Sequence, residues 1–117
     1  MKIHILVLTI VGAISPVVAQ VAAQNATKPI PRTADGKLGE PTALVANAHA
    51  NHLLVHPWTF RAENNFLPKD LAKGTAPSQF GDLESELLAY LRTGMDGFFT
   101  DQADLGFKVR AEFLKGP

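Results

Sequence analysis

Two short apolar runs, each ending in polar and charged groups and each preceded by a helical pattern, constrain this chain more than any other feature. The first is Leu53-Leu54-Val55, which continues through His56-Pro57-Trp58 into Thr59-Phe60-Arg61-Ala62-Glu63-Asn64. The second is Gly97-Phe98-Phe99-Thr100-Asp101. Apolar runs of four to six residues read as buried strands, and strands that alternate with helices indicate a parallel sheet in an α/β arrangement. In such folds functional groups collect beyond the C-terminal ends of the strands. That places Trp58, Phe60 and Arg61 on one strand end and Thr100 and Asp101 on the next. Trp58 offers an apolar wall to a ligand, and the Arg61 guanidinium suits two oxygens of a phosphate or carboxylate. Asp101 either orients a neighbouring side chain or caps the following turn. Arg61 and Glu63 also have the spacing of a surface ion pair, which contributes little.

The remaining pattern completes the order helix, strand, loop, helix, strand, helix. Ala-rich residues 41–51, opened by Pro41 at a position where its missing N–H costs nothing, form a short helix with Asn51 as its stop. Residues 66–80 are a loop punctuated by Pro68, Gly74 and Pro77, with Phe66, Leu67 and Phe80 packing it down. Leu83, Leu87 and Leu91 recur every four residues behind Asp82, a good N-cap. Glu84 and Glu86 suit the positive end of the helix, and Gly94 is its left-handed stop. Asp104 caps a last helix in which Leu105, Val109 and Phe113 share a face.

The N-terminus reads separately. Lys2 precedes a nearly uncharged apolar run, residues 3–14, which Ser15-Pro16 breaks; Val17-Val18-Ala19 and Val21-Ala22-Ala23 each satisfy the small-x-small cleavage rule. This is the pattern of a secretory signal over residues 1–23, with cleavage after Ala19 or Ala23 and export to the periplasm or medium. No stable membrane span is expected to remain after cleavage. Residues 24–40 follow as an extended leader with a tight turn at Asp35-Gly36, and residues 41–117 form the folded part.

Composition removes several classes. Lys+Arg and Asp+Glu are 11 each, so no basic excess is available for nucleic acid. There is no cysteine, hence no disulfide framework and no thiolate metal site. His49 and His52 share a helix face, but His56 falls in the strand and no acidic ligand stands at the spacing of a closed metal site. No glycine-rich phosphate loop, Gly-x-Ser-x-Gly or His-Glu-x-x-His motif occurs.

Leu54-Val55-His56-Pro57-Trp58-Thr59-Phe60-Arg61-Ala62-Glu63-Asn64, followed by Phe66-Leu67-Pro68, closely resembles the seventh-strand region of secreted bacterial glycerophosphodiester phosphodiesterases. Residues 81–91 and then Gly94-Met95-Asp96-Gly97-Phe98-Phe99-Thr100-Asp101 are similar to the helix and eighth strand that close their barrel, and residues 41–52 to the helix before. The resemblance runs from Lys28 to Phe113. It implies the last two βα units of an incomplete (β/α)8, TIM-type barrel, in an α/β fold class. Such barrels need about 250 residues; this chain has 117. It further implies metal-dependent hydrolysis of glycerophosphodiesters to glycerol 3-phosphate and an alcohol, with Ca2+ or Mg2+ in the complete enzyme. The family's His-Arg-Gly motif, second catalytic histidine and Pro-Glu-Asn-Thr-type carboxylate motif have no counterpart here, and Glu63-Asn64 matches the last only superficially. Catalytic residues and bound metal are therefore expected to be none, with Trp58, Phe60 and Arg61 as substrate-binding residues supported by Thr100 and Asp101. Two open strand edges make self-association an expected behaviour. The alternative reading is an exported binding module in which Trp58 and Arg61 hold a phosphorylated glycerol or lipid headgroup.

Overall fold

A computed structural model of the chain describes residues 29–117. The expected signal at residues 1–23 and residues 24–28 of the expected leader lie outside the described residues. Three helices form: α1 (Leu44–Ala50), α2 (Leu83–Arg92) and α3 (Ala103–Leu114). None of the described helices is long and apolar enough to cross a membrane.

The central helix follows its sequence pattern closely. The Asp82 side chain accepts the Ser85 N–H at 3.0 Å, satisfying one of the donors that the first turn leaves free. Leu83, Leu87 and Leu91 face inward at 1%, 0% and 8% exposure. Gly94 ends the helix at φ +87°, a conformation that costs other residues a Cβ clash. At the other two helices the expected starts shift. α1 begins at Leu44 rather than at Pro41, where the Thr42 hydroxyl receives the Leu44 N–H at 3.3 Å. α3 begins at Ala103 behind Gln102, so Asp104 lies in the first turn instead of at the cap. Asn51 does stop α1, its side-chain amide donating to the Asn47 carbonyl at 2.8 Å.

Among the described residues the two apolar runs do not form extended strands; they meet through a broken parallel pairing. Asp96 N donates to Val55 O, Phe99 N to Pro57 O, Phe60 N to Phe99 O, and Asp101 N to Phe60 O. Only Phe60 and Thr100 stand in regular parallel register. Pro57 supplies the physical reason. A parallel ladder would next use the N–H of residue 57, which proline lacks, and one extra residue then accumulates on each side before the register recovers. The first run is also exposed rather than buried, with Leu53 at 60% and Leu54 at 71%.

The core lies between α2, α3 and residues 60–67. It unites Leu83, Leu87 and Leu91 with Phe60, Ala62, Leu67, Met95 and Val109. Val109 is fully buried whereas Phe113 is 38% exposed, so the stripe expected on α3 engages only in its first half. Gly106 allows that approach: a Cβ there would stand 2.8 Å from Thr100 Cγ2. Part of the expected leader also packs here. Ile30 is 3% exposed in the core, and the turn at Asp35-Gly36 closes a small antiparallel bridge between Arg32 and Leu38. In the long loop Leu67 and Pro68 pack down, while Phe66 and Phe80 stay about half exposed.

Candidate functional site: an open cleft beside the first strand run

A cleft of about 690 Å³ runs along residues 54–61. Its opposite wall comes from Pro29, Ile30, Arg32 and Leu44, and Glu86 and Tyr90 of α2 lie at its base. The cleft exists because one side of the 54–59 run pairs with residues 96–99 and the other meets no strand among the described residues.

The residues expected to bind substrate occupy three different environments. Trp58 stands at the rim, 82% exposed, and its peptide bond to Thr59 is cis. Phe60 is 7% exposed and wedged edge-on between Tyr90, at a centroid distance of 4.8 Å, and Phe98, at 6.1 Å. That geometry makes its ring a core contact with one edge on the cleft. Arg61 is already engaged. Its Nε lies 2.8 Å from Asp101 Oδ2, in an ion pair whose N–H is not aligned for a hydrogen bond, and its Nη2 lies 3.6 Å from Glu63 Oε1. Its guanidinium carbon sits 4.1 Å from the Phe66 ring centroid, a cation–π distance. Asp101 thus takes the Nε edge of the guanidinium.

The two strand ends do come together. The Thr100 hydroxyl donates to Phe60 O at 2.9 Å and receives the Gln102 N–H at 3.2 Å. Asp101 meets Arg61 through the ion pair alone. Gln102 adds a bond from the Ala62 N–H to its Oε1 at 2.8 Å. The local pattern did not single this out, because the partner lies 40 residues away.

Three further groups at the cleft escaped sequence reasoning. Glu86, expected to serve the helix dipole from the surface, is 4% exposed and pairs with Arg32 Nη2 at 2.9 Å. The same nitrogen donates to Phe66 O at 3.0 Å. Burial pushes the Glu86 carboxyl above its ordinary range, and the Arg32 charge offsets part of that. The Tyr90 hydroxyl donates to Ile30 O at 2.8 Å, and burial pushes its pKa above the ordinary phenol value, so it resists ionisation. The one clue in the sequence was position. Glu86 follows Leu83 by three residues and precedes Tyr90 by four, on the inward face of α2.

The histidines separate. His49 Nε2 lies 2.8 Å from Asp96 Oδ2, and His52 falls just past α1 at φ 58°. Among the described residues no three His, Cys, Asp or Glu side chains converge as metal ligands.

Against known proteins, no family model matches the chain and no solved structure matches it. It is 40% identical over 67 residues to glycerophosphodiester phosphodiesterase GDPD6 of Arabidopsis thaliana. The likeness is partial. It covers 57% of this chain and 16% of the plant protein, so the chain spans about a sixth of the relative's length.

Proposed function

We propose that the chain carries the closing portion, the last two βα units, of a glycerophosphodiester phosphodiesterase barrel of the secreted bacterial type, and that it is exported. The observation that carries the reading is the 40% identity over 67 residues to a named phosphodiesterase. The parallel register of Phe60 with Thr100, each at the end of its run, is consistent with two neighbouring barrel strands. The reaction of the complete enzyme is hydrolysis of a glycerophosphodiester to glycerol 3-phosphate and an alcohol. In this chain the residues at the strand ends bind or support and do not catalyse.

At the run ends Asp101 Oδ2 lies 2.8 Å and Glu63 Oε1 3.6 Å from Arg61, so these two carboxylates face a side-chain cation, and among the described residues no three His, Cys, Asp or Glu side chains converge as metal ligands. No step is therefore assigned through Ca2+ or Mg2+ here. Incubating the purified chain with glycerophosphocholine and Ca2+ is expected to release no glycerol 3-phosphate above a buffer control; turnover would overturn this assignment. One observation favours the binding reading as a second possibility, namely an open cleft with Trp58 exposed at its rim. Saturable quenching of Trp58 fluorescence by glycerophosphocholine, without turnover, would select it.

A further inference from the structure

The run that lines the cleft uses the backbone of every second residue. Val55 N donates to Asp96 Oδ2, Val55 O accepts from Asp96 N, and Pro57 O accepts from Phe99 N. Among the described residues the backbone N–H and C=O groups of Leu54, His56 and Trp58 take part in no hydrogen bond. Successive residues of an extended chain turn these groups to opposite edges. One edge of the run is therefore joined to residues 96–99, and the other presents free donors and acceptors to the open cleft.

Two features match this free edge to a copy of itself. The first is symmetry about His56. Leu54 and Trp58 flank it two residues away on either side, on the same face of the run, and are 71% and 82% exposed. In an antiparallel pair centred on His56, Leu54 of each chain stands opposite Trp58 of the other, and every facing pair exchanges both its N–H···O=C bonds. The second is the lack of any device that opposes pairing. Residues 53–60 contain no Asp, Glu, Lys or Arg, whereas edges that stay single commonly carry charges. Pro57, a residue type that ordinarily blunts an edge, has its carbonyl on Phe99 N and so turns its ring nitrogen to the inner side. With 11 cationic and 11 anionic residues, two copies also meet without net repulsion.

We propose that residues 54–58 of two copies of this chain pair as antiparallel edge strands and close a two-fold dimer across the cleft. The interface is isologous, so it uses the free edge of both copies and stops at two. It rests on backbone geometry and not on the phosphodiesterase reading.

Cysteine cross-linking reads the register, since the chain has no cysteine of its own. Facing Cα atoms of a hydrogen-bonded antiparallel pair stand about 5.5 Å apart, within disulfide reach. In the full chain, His56→Cys should link to itself at least about tenfold faster than Lys115→Cys, an exposed control, because pairing raises the effective concentration of the facing thiols. Leu54→Cys and Trp58→Cys should each link slowly alone and fast when mixed. Fast self-linking of Leu54→Cys would reveal a parallel register and overturn the proposal, as would His56→Cys linking no faster than the control. The wild type supplies a second readout that needs no substitution. Exchange protection of the Leu54, His56 and Trp58 amides should rise with protein concentration, and sedimentation should stop at a dimer. Protection that is constant with concentration would put a segment of the same chain on the edge, and no protection at any concentration would leave the edge unpaired. Assemblies larger than two would make the association open-ended. Each of these three results overturns the dimer.

Discussion

Glu86 shows how one residue changes meaning when the chain closes. Its raised carboxyl means that the folded state holds a proton over a range in which the unfolded state has lost it. The sign follows: stability from this group is complete below the ordinary glutamate value of 4.5 and declines as pH rises towards the raised folded value. Urea titrations across that window should show the decline in the wild type and not in Glu86→Gln. Arg32→Ala strips the partner from a buried carboxylate and should cost about 1–3 kcal/mol at neutral pH, measured in the same way. Tyr90→Phe removes the bond to Ile30 O and should cost about 0.5–1.5 kcal/mol. Of the residues singled out in the sequence, Trp58, Phe60 and Arg61 line the cleft, while Thr100 bonds to Phe60 O and Asp101 pairs with Arg61. These partners could not be read from the sequence. Whether Arg61 faces a ligand or Asp101 depends on a fold-level placement that spacing along the chain does not encode.

At the scale of elements, what was legible followed what is local. α2 carries its cap, its apolar stripe and its stop within thirteen residues, 82–94, and each of these signals acts through contacts one or two turns away. Asp82→Ala should accordingly lower stability by about 1 kcal/mol, while Asp82→Asn, which also accepts the Ser85 N–H, should lose much less. The Ser85 N–H holds the Asp82 carboxyl below 3.8, so the wild-type advantage over Asp82→Ala is present above that value and is lost as pH falls through the lowered one. Thermal melts by circular dichroism at pH 2 to 7 would trace it. Strands are different, because a run becomes a strand only when a partner supplies hydrogen bonds. The 53–58 run has apolar residues of the right kind, yet Pro57 removes the donor its neighbour would use, and its other side meets no strand among the described residues.

For the molecule as a whole, the balance of buried and open surface sets the expected behaviour. Leu54, Trp58, Phe99 and Phe107 are each at least 60% exposed. An apolar edge beside unpaired backbone invites association with a second chain. Light scattering is expected to show concentration-dependent association, reduced in Leu54→Lys and Trp58→Lys because a lysine on an edge opposes pairing. A strictly monomeric wild type at high concentration would refute this. Of the α/β arrangement expected from the sequence, the described residues hold one parallel bridge, Phe60 with Thr100, in place of two paired strands.

The strap formed by residues 29–32 carries a consequence for synthesis. Its anchors are remote: Arg32 meets Glu86 54 positions later, and Ile30 meets Tyr90 60 positions later. At bacterial or eukaryotic elongation rates of about 5–20 residues per second, Ile30 leaves the ribosome roughly 3–12 s before the hydroxyl that will hold it. During that interval one of the most buried side chains of the finished protein has no native cover, so the nascent chain presents Ile30 to chaperones before it presents a core.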